Sequence, residues 1–225
     1  ILLVVIGILI ALQINNWNQE AKNERKIKSI FIEILNDLAD DIWESNRVIK
    51  FYEEKDSLTN YVLTNQLKPT DFEGENPYYT LILNRRSVLI NRNGFENLMR
   101  NVDKVPEQYD SLIVPLKKLY IRDVTRMENF QKSTTAIIDK TLENYARNYE
   151  WFSRSSDDYL EQWREYQLND PLYKNEVRLY QIITVRNLLL MLNQFRKDAI
   201  LSYKDLHEIV NPGEELPDFI FPSTD

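Results

Sequence analysis

Glycine and proline are scarce in this chain, and their placement constrains the fold more than any other feature. The 225 residues include 4 Gly and 8 Pro, and the stretch from Glu20 to Asn65 contains neither. Because these residues end most helices and form most tight turns, their scarcity favours long helices over a many-turned β fold. Apolar side chains in that stretch recur at steps of three or four residues, with one gap at Ser45. We therefore predict a long amphipathic helix over residues 20–65.

The chain opens with ILLVVIGILIALQINNWN, and its first twelve residues are apolar or glycine. A helix of twelve residues reaches about 18 Å, whereas crossing a bilayer takes about 20 residues. Because the sequence begins at Ile1, we expect further residues upstream. We interpret residues 1–18 as the distal part of a transmembrane helix and its interface segment, with Trp17 as the anchor at the membrane surface. A removed signal fits poorly, and the alternative of a buried core helix requires enclosure on every side.

Small residues mark one face of this opening segment. Gly7 and Ala11 lie one helical turn apart, and Ile14 continues their face. Small residues at this spacing let helices approach closely in lipid. Gln13 is positioned either to form a hydrogen bond across such an interface or to lie at headgroup depth. We predict a helix–helix interface in the membrane at Gly7, Ala11, Gln13 and Ile14.

Turn signals divide the remainder of the chain. LKPTDFEGENP (67–77) ends the first long helix, shorter helices over 78–103 are broken at Asn93-Gly94, and Pro115 should kink or end a helix. We predict further long helices over 106–152 and 171–210, and an extended tail over 211–225. IITVRNLLLMLNQF (182–195) contains too many polar residues to cross a membrane and is interpreted as the centre of a bundle. The predicted fold class is all-α: one N-terminal transmembrane helix continuing into an up-and-down bundle of long antiparallel helices over 19–210.

The sequence contains no recognisable catalytic motif. It has no cysteine and one histidine, His207, which is interpreted as solvent-facing, and it lacks a nucleophile elbow, a phosphate-binding glycine loop and a zinc motif. The adjacent carboxylates Asp40-Asp41 and Asp157-Asp158 are interpreted as solvated. We expect no enzyme activity, no cofactor and no metal. The net charge of −7 argues against nucleic acid as a partner.

Aromatic residues are dense between positions 145 and 173, and two more lie in the C-terminal tail. Such residues either anchor interfaces and line binding clefts or fill the corners between helices. The candidate partner-binding residues are Trp151, Phe152, Tyr159, Trp163, Phe219 and Phe221.

The strings LVVIGILIALQINNWNQ (3–19) and FIEILNDLADD (31–41) resemble an uncharacterised family of single-pass inner-membrane proteins of Bacteroidota. The resemblance implies that the N-terminus lies on the cytoplasmic side of the membrane and the bulk of the chain in the periplasm. It implies no activity and no site residue. Lys22, Arg25, Lys26 and Lys28 follow the apolar run and by themselves favour the cytoplasmic side. We adopt the periplasmic orientation.

Two functions are compatible with these observations. The first is a structural or accessory subunit, a scaffold or assembly protein whose partners are the lipid bilayer and other protein subunits or a second copy of the chain. The alternative is a periplasmic sensor or ligand-binding helical bundle. We favour the first, because no output domain follows the predicted bundle.

Overall fold

The computed structural model describes residues 2–74, 76–153 and 156–218, with side chains at all of these positions except 2, 156 and 157. This part of the chain is all-α and contains no strand, which confirms the predicted all-α class and a bundle of long helices. The α-helices are α1 (Leu2–Leu63), α2 (Asn93–Arg100), α3 (Asp110–Lys117), α4 (Val124–Asn148), α5 (Ser156–Asn169), α6 (Pro171–Tyr180) and α7 (Asn187–Val210).

Helix α1 runs for 62 residues without interruption, so the opening apolar segment and the predicted helix over 20–65 form one element. It ends where the backbone of Asn65 adopts a left-handed conformation, with φ of 60°. There the N–H of Gln66 donates to the carbonyl of Tyr61, and the N–H of Asn65 donates to that of Val62. This pair of hydrogen bonds is the Schellman arrangement that satisfies the last carbonyls of a helix.

Two of the predicted long helices are interrupted in the structure. The region 106–152 comprises a 3₁₀ turn (Glu107–Tyr109), α3, a π-helical turn (Lys118–Asp123), α4 and a second 3₁₀ turn (Glu150–Ser153). Pro115 lies inside the last turn of α3, and the π-helical turn begins three residues later, in agreement with the predicted kink or break. A second π-helical turn (Gln181–Arg186) joins α6 to α7.

The connection between α1 and α2 differs from the prediction. Apart from a 3₁₀ turn at Pro69–Phe72, its described residues form turns and irregular structure up to residue 92, where short helices were expected from 78. Asn93 and Gly94 begin α2 instead of ending a helix. The prediction was wrong because an Asn-Gly pair is a local turn signal, and here side chains from α1 provide the hydrogen bonds that start a helix.

The chain folds as two compact units. Unit 1 contains Ile1–Trp43, Leu89–Arg122 and Arg196–Asp225, and unit 2 contains Glu44–Val88 and Asp123–Phe195. In unit 1, Phe31 packs edge-on against Tyr109, and Phe95 stacks on Tyr120, with ring centroids 5.3 and 5.0 Å apart. In unit 2, the segment 182–195 buries one of its faces, as expected for a helix of a bundle, whereas Ile182 and Leu190 of the same segment are exposed. The buried apolar residues are Val185, Leu188, Leu192 and Phe195.

Within the ranges that the structure describes, none of the helices combines the length and the apolar character needed to cross a membrane.

Candidate functional site

The first turns of α1 carry an apolar surface that no other part of the described chain covers. Between residues 3 and 17, ten large apolar side chains are 44–84% exposed. They are Leu3, Val4, Val5, Ile6, Ile8, Leu9, Ile10, Leu12, Ile14 and Trp17. A contiguous apolar surface of this extent is unusual on a soluble protein. We call residues 3–17 the apolar segment.

The residues predicted to form a helix–helix interface all lie in the apolar segment. Gly7, Ala11, Gln13 and Ile14 are exposed, and a Cβ atom built on Gly7 would have no neighbour within 4 Å. Trp17, the predicted membrane-interface anchor, is also exposed. The described chain therefore leaves all five positions open to a partner, and their assignment stays a prediction.

Two buried carboxylates on α1 position the start of α2 in unit 1. One Asp37 oxygen accepts a hydrogen bond of 2.8 Å from the N–H of Gly94, and one Asp41 oxygen accepts one of 2.9 Å from the N–H of Asn91. Helix α2 has no side-chain cap of its own at Arg92. Because the first N–H groups of a helix lack partners within the helix and carry partial positive charge, Asp37 serves as the cap of α2, and Asp41 holds the residue just before its N-cap position.

Burial controls the charge of these carboxylates. Asp41 is 1% exposed, and burial raises its pKa to about 7, although the hydrogen bond from Asn91 opposes the rise. Burial likewise raises the pKa of Asp37. The pKa of the buried Tyr120 hydroxyl rises through its own burial and through the negative charges of Asp41 and Asp37. The interpretation of Asp41 as solvated was wrong, because α2 packs directly over the face of α1 that carries it.

His207 also departs from its prediction. Its side chain is buried, and its ring stacks on Tyr203 with the centroids 5.8 Å apart. The solvent-facing interpretation was wrong because His207 follows the buried positions Ala199, Ser202, Tyr203 and Leu206 on the inner face of α7. No group of three or more His, Asp or Glu side chains among residues 2–74, 76–153 and 156–218 is arranged to hold a metal ion.

The aromatic residues of the 145–173 region gather in one cluster in unit 2. Tyr145 and Trp163 lie at its centre, with ring centroids 5.0 Å apart. The remaining rings surround them and are those of Tyr149, Trp151, Phe152, Tyr159, Tyr166 and Tyr173. Neighbouring rings mostly meet edge to face or at a tilt, which are the arrangements that aromatic pairs prefer. We call these eight residues the aromatic cluster.

A carboxylate is placed within this cluster. One oxygen of Glu176 accepts hydrogen bonds from the hydroxyls of Tyr145 and Tyr166, the second at 3.1 Å. Burial raises the pKa of Glu176, and the two tyrosine hydrogen bonds offset part of that rise. The carboxylate ties α6 to α4 and α5, so it fixes the rings from three helices relative to one another.

The four predicted partner-binding aromatics in this region have different environments. Trp163 is 1% exposed, and its indole N–H donates to the carbonyl of Tyr79 at 3.0 Å, so it is a core residue. Trp151 is largely buried, whereas Phe152 and Tyr159 are partly exposed. Phe219 and Phe221 lie outside the described residues. Contact of these residues with a partner protein stays a prediction.

A surface cavity of about 480 Å³ opens beside the aromatic cluster. Its lining includes Tyr149, Trp151 and Tyr166 together with the carboxylates of Glu165 and Asp170. Neither these two acidic residues nor Glu176 was predicted from the sequence as a site residue. The sequence contained a signal for their position, because Asp170-Pro171 is a strong start of a helix. This start brings the first turn of α6 next to the aromatic-rich end of α5.

The comparisons with known proteins concern the first part of the chain. Residues 1–89 match a family described as a family of unknown function (DUF6090). The match covers the apolar segment, all of α1 and most of the connection to α2. Nothing among the curated proteins or the solved structures matches this chain.

Proposed function

We propose that this protein is a membrane-anchored accessory protein, a scaffold or assembly subunit that the apolar segment of α1 holds at a lipid bilayer. One observation carries the proposal: ten large apolar side chains between residues 3 and 17 are 44–84% exposed. The remainder of the chain is proposed to lie in the periplasm, as the resemblance implies.

The energetics favour lipid over water for this segment. Inserting a Leu, Ile or Val at the centre of a membrane helix is favourable by about 0.3–0.6 kcal/mol per residue, whereas Lys costs about 2.5–3.5 kcal/mol. The apolar segment contains no charged side chain between residues 3 and 17. Transfer of its nine exposed aliphatic residues is therefore favourable by a few kcal/mol on this scale, and Trp17 suits the headgroup region at its end.

The accessory role is supported by the character of the described chain beyond the apolar segment. Its buried carboxylates and tyrosines are engaged in positioning helices. The open face around Gly7 and Ala11 suits close contact with a helix of another subunit or of a second copy. We propose that the protein is not an enzyme.

Flotation with liposomes tests the anchor. The full chain is expected to float with the vesicles, and the double variant Val5→Lys/Leu9→Lys is expected to stay in the soluble fraction, because two charges within the apolar segment cost about 5–7 kcal/mol. The matched control is Leu190→Lys/Leu201→Lys, which places the same charges at exposed apolar positions of α7. Equal flotation of both variants would contradict a membrane anchor.

Cysteine cross-linking tests association through the apolar segment. The natural chain has no cysteine, so a single one can be introduced without background. Gly7→Cys and Ala11→Cys are expected to form disulfide-linked dimers in membranes if a second copy is the partner, whereas Leu9→Cys, on the opposite face of the helix, is not. If all three variants remain monomeric and the protein extracted from native membranes carries no second subunit, the accessory role fails.

Labelling with a membrane-impermeant maleimide tests the orientation. Lys132→Cys places a thiol at an exposed position of α4. Labelling in spheroplasts, whose inner membrane is intact, is expected for a periplasmic location. Labelling only after lysis would place the bulk of the chain on the cytoplasmic side.

A further inference from the structure

Three aromatic rings line the cavity beside the aromatic cluster, which is a shallow depression open to solvent. The Tyr149 and Tyr166 rings meet edge to face with centroids 5.0 Å apart and planes at 72°. The Trp151 ring lies 5.2 Å from the first and 5.8 Å from the second, tilted by 43° and 44°. Because the three planes cross at these angles, the rings form a corner and not a flat stack. All three line the same cavity of about 480 Å³.

Contacts behind the wall hold this corner in place. The Tyr166 hydroxyl donates to Glu176, and the Tyr149 hydroxyl lies 3.5 Å from that of Tyr166. Tyr145 packs against all three rings of the corner, and Trp163 packs against those of Trp151 and Tyr166. A site whose walls are fixed before a ligand arrives loses little entropy on binding. The corner is therefore preorganised.

The rim of the cavity is negatively charged. Glu165, on α5, accepts a hydrogen bond from the side-chain amide of Asn169, which fixes its carboxylate at the rim. Asp170 caps α6, where one of its oxygens accepts from the N–H of Leu172 at 2.8 Å. No basic side chain is among the described residues that line the cavity. Glu176 adds a third carboxylate directly behind Tyr166.

Aromatic faces and carboxylates together favour a positively charged organic ligand. The face of an aromatic ring carries negative charge density, and it attracts an ammonium group within about 6 Å of its centre. Hydrogen-bond donation from Tyr166 to a carboxylate increases the electron density of its ring and strengthens this attraction. A neutral sugar also stacks on aromatic rings and can donate its hydroxyls to these carboxylates. Only a cation, however, also neutralises the negative charge of the rim, which has no basic residue among the described lining residues.

We propose that this cavity is a binding site for an organic cation, whose substituted ammonium group lies against the rings of Tyr149, Trp151 and Tyr166 and is neutralised by Glu165 and Asp170. The site lies entirely within unit 2 and is separate from the apolar segment. This binding site is a proposal separate from the membrane anchor, and different measurements test the two.

Titration of the full chain with a pair of isosteric probes tests the charge requirement. Choline and 3,3-dimethyl-1-butanol have nearly the same shape and differ in the positive charge. Choline is expected to bind with a Kd of about 1 mM or tighter, measured by saturation-transfer NMR and by the change in tryptophan fluorescence. The neutral alcohol is expected to bind at least about 5-fold more weakly.

Variants assign the binding to this cavity. Tyr149→Leu is expected to weaken choline binding by roughly 5- to 30-fold, whereas Tyr149→Phe, which keeps the ring, is expected to retain it. Glu165→Gln is expected to weaken it several-fold. Its matched control is Glu161→Gln, an exposed carboxylate one turn earlier on α5 that does not line the cavity. Thermal melts establish that each variant is folded, and the Phe and Gln variants keep the shape of the site.

Four results would overturn the proposal. The first two are equal binding of the charged and neutral probes and no choline binding at tens of millimolar. The third is unchanged choline affinity in both Tyr149→Leu and Glu165→Gln. The fourth is binding of glucose or N-acetylglucosamine, but not of choline, in this cavity. Liposome flotation is unaffected by any of these variants if the anchor proposal is correct, so failure of one proposal is distinguishable from failure of the other.

Discussion

The carboxylate of Asp37 accepts a hydrogen bond of 2.8 Å from the backbone N–H of Gly94, 57 residues further along the chain. At the same point α2 approaches α1 closely, because a Cβ atom on Gly94 would lie 2.8 Å from the backbone nitrogen of Ile34. The hydrogen bond and the close approach depend on each other. A carboxylate with a short stem reaches the start of α2 only if the backbone there comes near α1.

Gly94→Ala is expected to destabilise the protein by about 1–3 kcal/mol. The added methyl group would overlap the backbone of α1, which cannot move aside as the end of a flexible side chain can. The free energy of unfolding in urea measures the effect. Gly7→Ala is the matched control, because a Cβ at that position meets nothing within 4 Å. A stability of Gly94→Ala equal to that of the control would contradict the close approach.

Asp41→Asn is expected to stabilise the protein at pH 8 and to flatten its dependence on pH. The pKa of Asp41 rises from 3.8 to about 7 on burial, so between these values the folded state binds more protons than the unfolded state. The free energy of unfolding of the natural protein therefore falls as the pH rises from about 4 to 7. The contribution of this group is at most about 4 kcal/mol.

Denaturation in urea at several pH values between 4 and 8 measures that dependence. Asp40→Asn is the control, since the Asp40 side chain is exposed on the neighbouring position of the same helix. If the free energy of unfolding depended on pH in the same way for both variants and the natural protein, the raised pKa of Asp41 would be refuted.

Lys55→Met is expected to stabilise the protein at neutral pH by up to about 3 kcal/mol. Lys55 is buried in unit 2, its ammonium group lies 5.5 Å from the centre of the Phe51 ring, and burial lowers its pKa from 10.5 to about 8. Between pH 8 and 10.5 the unfolded state binds more protons, so the stability of the natural protein rises with pH in that window. Below pH 8 the cost of burying the charge is fully present.

Thermal and urea denaturation at pH 7 and pH 10 compare the protein with Lys55 charged and with Lys55 neutral in the folded state. The advantage of Lys55→Met should shrink at the higher pH, where the natural lysine is neutral in the folded state. Lys50→Met, at an exposed position of α1, should change stability little at either pH. An advantage of Lys55→Met that is the same at both pH values would mean that packing, and not charge, is its cause.

Tyr145→Phe is expected to destabilise unit 2 by about 1–3 kcal/mol. Its hydroxyl donates to the partly buried carboxylate of Glu176, and removing it leaves that charge with one fewer donor. Tyr159→Phe is the control, because the Tyr159 hydroxyl makes no hydrogen bond with the described residues. Urea denaturation followed by tryptophan fluorescence reports on the region through Trp151 and Trp163. Equal stability of the two variants would show that the carboxylate does not depend on Tyr145.

The helices themselves were largely predictable from local patterns. The apolar period of α1 and its lack of glycine and proline indicated a helix to about residue 65, and the structure ends it at Leu63. A helix was predicted to begin at residue 171, and Asp170 caps α6 directly ahead of Pro171. These predictions succeeded because hydrogen bonding within a helix and at its ends involves residues close in the chain.

The sequence by itself determined the all-α class, the long first helix and the exceptional apolar character of residues 3–17. Only the tertiary structure decided that Asp41 and His207 are buried, that Glu176 lies among tyrosines, and that Trp163 is enclosed while Tyr149 faces a cavity. The physical reason is that burial and pKa depend on which distant segment packs over a residue. The periodicity of a helix shows which side chains share a face, but the partner that covers that face comes from elsewhere in the chain.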